Sequence, residues 1–185
     1  RKLLETDKID VLIGMTLTAG WDAIGDYLTR MKVPGLASSG LTERQALAGW
    51  PVWSHTGPVA QGAHPMGVYA YDVLGYKTVS ILTYEAEFAH GYMDEGFIVG
   101  FESRGGEVLQ AQYVPLDVLD FTPYLIKIVD ADALVIFVLG GSGLPAIAQI
   151  RELGVWDRMP VIEATASQMF DEYFLDQAGD TSIGI

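Results

Sequence analysis

Cysteine is absent from the 185 residues, which excludes disulfides, thiolate chemistry and cysteine-type zinc sites. That absence suits an exported bacterial protein, although cytosolic chains can lack cysteine too. Basic residues are scarce: 11 Lys and Arg stand against 24 Asp and Glu, for a net charge of −13. Nucleic acid is therefore an unsuitable partner, because phosphate binding needs clustered Lys and Arg. No block of like charges occurs, so the acidity belongs to solvated helix faces and confers solubility. Long apolar runs are missing as well. The longest, Ala133 to Gly141, is far too short to span a bilayer, and no signal segment opens the chain. Half of the residues are hydrophobic and 11% are aromatic, enough for a packed core that buries roughly 70% of the unfolded surface.

What is present is a rhythm. Four times an apolar stretch enters a turn of small or hydroxyl residues and then a helix: Val11–Gly20, Gly35–Gly40, Leu134–Gly143 and Val161–Ser167. In an open parallel α/β sheet, ligands bind beyond the carboxyl ends of the strands. Those positions here carry hydroxyls and bare backbone rather than catalytic acids or bases. Such a site holds a small polar molecule rather than transforming it.

The patterning predicts strands over Ile9–Met15, Val33–Ala37, Lys77–Thr83, Glu107–Val114, Ala133–Leu139 and Pro160–Glu163, with a short extended piece at Val52–His55. Helices are predicted over Gly20–Lys32 with Thr18 at the N-cap, and from the capping box Thr42-Glu-Arg-Gln45. Further helices run from Val59 to a stop at Gly75, over Phe88–Arg104 after a Tyr84–Glu87 loop, from Asp120 through Val129, over Leu144–Leu153 and over Gln168–Gln177. Val11–Ile13 and Leu134–Leu139 are apolar on both faces, and Val79–Leu82 nearly so, the mark of a parallel sheet covered on each side. The expected class is α/β, in two lobes with parallel sheets flanked by helices. Gly49–Pro58, rich in Trp, Pro and Gly, interrupts the alternation, which divides the chain into residues 1–55 and 56–185. Arg1–Lys8 reads as the tail of a helix and Thr181–Ile185 as a strand just starting, so a central excerpt of a longer polypeptide is expected.

Asp10-Val-Leu-Ile-Gly14, Lys32-Val-Pro34, Tyr71-Asp-Val-Leu-Gly-Tyr-Lys-Thr-Val79, Gly105-Gly-Glu-Val108, Asp120-Phe-Thr-Pro123, Ile150-Arg-Glu-Leu-Gly154 and Ala178-Gly-Asp180 follow one another between Arg1 and Ile185. In this order and spacing the chain resembles the periplasmic solute-binding proteins of branched-chain amino acid ABC transporters, which have the type I periplasmic-binding-protein fold. The resemblance implies two lobes that close on a ligand like a hinged clam, with His55 and Ile185 near the hinge. It also implies that the opening βαβ of the first lobe and everything after the second crossing lie outside this excerpt. Other implications are a signal peptide in the precursor, a periplasmic or extracellular location (a lipid anchor being one form), an ABC permease in the inner membrane as partner, no cofactor and no catalysis.

On that resemblance a hydroxyl after the first strand grips a ligand carboxylate. The matching residue is Thr18, with Thr16 and Ala19 beside it, and the free N–H groups of the following helix would assist. Thr18 equally reads as a plain N-cap, and both roles can hold together. Ser38, Ser39 and Gly40 form the second contact of the first lobe; on the residues alone they read as a Ser-Gly turn. The second lobe would supply Phe88, where many relatives have Tyr, with Tyr84 as an alternative. Leu139 falls near another family aromatic, and Gly140, Gly141 and Ser142 bring backbone toward the ligand. Thr165 stands where amino acid binders place an acidic residue for the ligand ammonium, although Glu163 is two residues earlier. A buried unpaired ammonium is very costly, so the expected ligand is a small carboxylate with an aliphatic or aromatic body, a branched-chain-type amino acid staying open.

Rival readings rest on other residues. His55, His64 and His90 match no compact metal-ligand motif. Tyr84, Glu85, Glu87 and His90 can be drawn as an acid–base cluster of a small α/β enzyme, but no nucleophile accompanies them. Gly140-Gly-Ser-Gly143 lacks the ending of a phosphate loop. A ligand-sensing domain of a receptor or transcription regulator with the same fold is the other alternative, because fold does not fix function.

Overall fold

A computed structural model describes residues 1–138, 140–164 and 172–182. After a π-helical turn at Lys2–Thr6 come strand β1 (Leu12–Gly14), helix α1 (Thr18–Met31), β2 (Gly35–Ala37), α2 (Glu43–Leu47) and β3 (Val52–Ser54). These strands form a parallel sheet in the order β1-β2-β3, with Ile13 beside Leu36 and Leu36 beside Trp53. Helix α3 (Ala60–Asp72) leads to β4 (Thr78–Tyr84). A long helix follows, α4 (Glu87–Tyr92) continuing through a π-helical stretch (Met93–Ile98) into α5 (Val99–Glu102). The chain then forms β5 (Glu107–Val114), α6 (Thr122–Leu125), β6 (Ala133–Phe137), a 3-10 turn (Gly140–Ser142), α7 (Gly143–Glu152), α8 (Val155–Arg158), β7 (Val161–Glu163), α9 (Glu172–Ala178) and a second 3-10 turn (Gly179–Ser182). Its parallel sheet runs in the order β5-β4-β6-β7. Among the described residues, no helix is long and apolar enough to cross a membrane.

The α/β class with parallel sheets flanked by helices is therefore what the alternation predicted. Every residue of β6 is buried, as is all of β4 after Thr78, which agrees with their unbroken apolar sequences. The edge strand β5 instead alternates in exposure. From β4 the chain passes to β5 on one side and then to β6 on the other. That reversal makes the carboxyl end of β4 a switch point, where such sheets open a crevice.

Several boundaries differ from expectation for local reasons. β1 has three residues instead of seven: the positive φ of Gly14 and Met15, +114° and +56°, ends the ladder on one side, and before it the Ile9 N–H turns back to the Leu3 carbonyl. β2 starts at Gly35, since Pro34 has no N–H to donate and the Val33 N–H returns to the Leu28 carbonyl of α1. Helix α1 begins at Thr18 with Leu17, in extended conformation, as its cap. Thr18 is thus the first helical residue and not the N-cap. The Thr42 capping box forms as predicted: Gln45 N donates to Thr42 Oγ1 and Thr42 N donates to Gln45 Oε1. The helix expected from Asp120 to Val129 shrinks to α6, with Asp120 accepting from Thr122 N at 3.0 Å. Side chains of β5 take over beyond it: Gln112 Nε2 donates to the Tyr124 carbonyl, and Gln110 bonds both the Lys127 carbonyl and Val129 N. Ile13, expected to be covered on both sides, is 69% exposed, and its neighbours in register, Leu36 and Trp53, are 44% and 58% exposed. Among the described residues no helix lies over that row.

Candidate functional site

The turns after β1 and β2, the start of α1, the cap of α3 and one face of α4 enclose a cavity of about 210 Å³ lined by Thr16, Leu17, Thr18, Ser39, Gly40, Val59, Phe88 and Tyr92. It lies beyond the carboxyl ends of β1 and β2, the end of such sheets at which ligands bind. A larger hollow of about 510 Å³ is lined by helix residues such as Leu47, His64 and Val99; no strand end reaches it, so it lacks the converging backbone of the first.

The first wall is tied together by hydroxyls. Past the positive-φ pair Gly14 and Met15, Thr16 Oγ1 meets Ser38 Oγ at 3.2 Å. Ser39 Oγ donates to the Thr16 carbonyl at 2.6 Å, and Ser54 Oγ donates to the Ser39 carbonyl at 2.8 Å. The ends of β1, β2 and β3 are thereby held in one arrangement, and the Ser39 hydroxyl hydrogen is already engaged by protein. Thr18 differs. Only 4% of it is exposed, its carbonyl accepts from Gln45 Nε2 at 2.9 Å, and its hydroxyl has no partner among the described residues. That hydroxyl, set in the first turn of the 14-residue α1, is a donor available to an anion, beside backbone N–H groups that the helix leaves unpaired.

The second wall is aromatic. Phe88 and Tyr92 share one face of α4 by their four-residue spacing. Phe88 stands 6.0 Å, centroid to centroid, from Phe137 and 6.4 Å from Tyr84, while Tyr92 stands 4.8 Å from Phe137. Tyr84 is fully buried and its hydroxyl is hydrogen-bonded to that of Ser142. These two residues brace the aromatic wall from beneath and do not line the cavity.

Of the residues singled out in the sequence, Thr16, Thr18, Ser39, Gly40 and Phe88 come together around this cavity. Ser38 touches it through Thr16, whereas Ala19, Tyr84 and Ser142 are not in its lining; Gly140 lies in the 3-10 turn after β6. Phe88 sits in the first turn of a helix, as its sequence predicted, with α4 beginning one residue earlier at Glu87 after the extended Ala86. Leu139 and Thr165 lie outside the described residues. Sequence reasoning missed Leu17, Val59 and Tyr92. For Tyr92 the signal existed, since a helix starting at Glu87 puts it one turn beyond Phe88.

Charged groups border the two units rather than converging in the cavity. Arg44 Nη2 on α2 bridges Asp22 of α1 at 2.9 Å and Glu87 of α4 at 2.6 Å, and Glu43 N donates to Glu95 Oε2 at 3.0 Å. His90 lies between Asp94 at 2.7 Å and Glu85 at 3.0 Å, stacked on Tyr113. Burial pulls the His90 pKa down, but the hydrogen bonds of Asp94 and Glu85 outweigh it and hold the imidazole above its usual range. A raised histidine pKa contributes stability that is complete below the unfolded value near 6.5 and fades as pH rises through the folded one. The melting temperature should therefore fall as pH rises above the unfolded value and through the raised folded one, and His90→Gln should flatten that slope in thermal unfolding. Glu85 and His90 pair directly, but Glu87 is held by Arg44 and Tyr84 by Ser142, so the four do not meet as one acid–base cluster. Among the described residues, no group of three His, Asp or Glu is placed to hold a metal ion.

A family model described as periplasmic binding protein matches residues 1–185. No curated protein matches the chain. Among solved structures, it is similar to an ABC transporter substrate-binding protein from Sphaerobacter thermophilus, at 28% identity and a TM-score of 0.82 over 98% of this chain and 50% of that one. It is also similar to a solute-binding protein of an ABC transporter from Rhodopseudomonas palustris in complex with 3,4-dihydroxybenzoic acid, at 27% identity and a TM-score of 0.73 over 88% and 45%. A leucine-binding protein from Thermotoga maritima shares the fold at 24% identity and a TM-score of 0.75, over 97% and 51%. The chain spans about half the length of these proteins. With two parallel sheets, a crevice between them and a family match from first residue to last, the chain belongs to the periplasmic binding protein family and has its type I fold.

Proposed function

We propose that the chain is the central part of an extracytoplasmic solute-binding protein of an ABC importer. It clasps a small carboxylate with an aliphatic or aromatic body, branched-chain amino acids included, between a first lobe ending near residue 55 and a second lobe beginning at residue 56. The observation that carries this reading is the cavity itself, whose hydroxyl wall comes from β1, α1 and β2 and whose aromatic wall comes from α4. A ligand touching both walls gains its full interaction energy only when they are close together, so binding selects the closed state. The closed form is what an inner-membrane permease would receive, and no reaction is part of the cycle. The ligands named for the R. palustris and T. maritima proteins, a benzoic acid and leucine, share the carboxylate and the apolar body.

The test is calorimetry of the full-length protein with benzoate and leucine as probes. Thr18→Ala removes a free donor to a charged group and should weaken binding about 10- to 100-fold. Ser39→Ala removes only a brace of the Thr16 carbonyl and should weaken binding by less, with the fold intact in both variants. Unchanged affinity in both variants contradicts the proposed site.

A further inference from the structure

Resting on that reading, we propose that Tyr92 is a specificity-determining residue, whose hydroxyl engages a polar group at the end of the ligand remote from its carboxylate. Three tyrosines lie near the carboxyl ends of β4, β5 and β6, and two are satisfied: Tyr84 by Ser142 and Tyr113 by Asp94. Tyr92 is the exception, for its hydroxyl has no hydrogen-bond partner among the described residues. Its ring is nevertheless held firmly. One side packs on Phe137 at 4.8 Å, and its edge runs along α3 so closely that a Cβ on Gly62 would stand 3.6 Å from Tyr92 Cε1.

The surroundings explain why an unpaired phenol matters here. Leu17, Val59 and Phe88 give the same cavity an apolar lining, and a partly buried phenol normally finds a partner. When closure expels water, only the ligand is left to supply that partner. Burial, reinforced by the charge of Glu163, holds the hydroxyl above the ordinary phenol range, so it stays protonated and can both donate and accept. Thr18 provides the other free hydroxyl, on the wall of the first sheet. Two unpaired hydroxyls, one on each wall with apolar surface between, suit a molecule with a carboxylate head, a flat or branched apolar middle and a hydroxyl or carbonyl at the far end.

The inference is tested by calorimetry of the full-length protein, wild type and Tyr92→Phe, with benzoate, 4-hydroxybenzoate and leucine as probes. Wild type is expected to bind 4-hydroxybenzoate about 3- to 10-fold more tightly than benzoate. Tyr92→Phe should erase that preference by weakening the hydroxylated acid more than benzoate, until the two bind alike. A preference that survives in Tyr92→Phe, or one absent from wild type, overturns the inference and leaves the clasp reading standing. Binding of leucine with neither aromatic acid does the same. Binding of none of the three probes overturns both.

Discussion

Thr18→Asp is expected to abolish carboxylate binding, with a loss of about 100-fold or more, because like charges placed together in an interface cost several kcal/mol. The substitution exploits what the wild-type residue offers. Its hydroxyl is the free donor of the first wall, and a carboxylate there would face the ligand's own carboxylate at close range. The fold should tolerate the change better than the ligand does. Position 18 opens α1, and a negative charge in the first turn of a helix is favoured by the unpaired N–H groups and the dipole. Calorimetry should therefore show no heat with benzoate or leucine while circular dichroism stays that of wild type. Retained binding would place the anion elsewhere in the cleft.

Gly67→Ala is the substitution expected to damage the fold most. Helix α3 lies against the long helix so closely that a Cβ at Gly67 would stand 2.2 Å from the Phe97 carbonyl oxygen and 2.6 Å from Phe101 N. Both are backbone atoms, so the clash is relieved only by moving one helix off the other. Gly100 faces the same seam, with its Cβ position 2.2 Å from the His64 carbonyl oxygen. Overpacking of this kind costs about 3 kcal/mol, which lowers the melting temperature of a chain this size by about 6–12 °C. Gly62→Ala on the same helix is the control. Its Cβ would meet only Tyr92 at an ordinary 3.6 Å, and alanine is the better helix former by about 0.5–1 kcal/mol, so its melting temperature should hold or rise. Equal effects of the two substitutions in thermal unfolding would contradict the packing described.

Much of the fold was legible because its signals are local. β5 was predicted residue for residue, the Thr42–Gln45 capping box closes as its sequence implies, and Gly154 adopts the positive φ of a helix stop. The apolar runs of β4 and β6 announced strands buried on both faces. What was not legible depends on partners distant in sequence. α6 ends early because glutamines on β5 compete for its backbone groups. Ile13 looks like a core residue by composition, yet its face carries no helix among the described residues. In the cleft, hydroxyl residues could be nominated from the turns after β1 and β2, but which hydroxyls are free could not. Ser39 is held by the Thr16 carbonyl and Tyr84 by Ser142, and only the fold separates them from Thr18 and Tyr92.

The central claim is that one small acid lies between a hydroxyl wall at the ends of β1 and β2 and an aromatic wall on α4. A crystal structure of the full-length protein grown with 4-hydroxybenzoate tests it most directly. The account predicts the carboxylate on Thr18 and the first turn of α1, with the ring against Phe88 and Tyr92. An acid bound instead in the hollow beside Leu47 and His64, or touching one wall only, would contradict it.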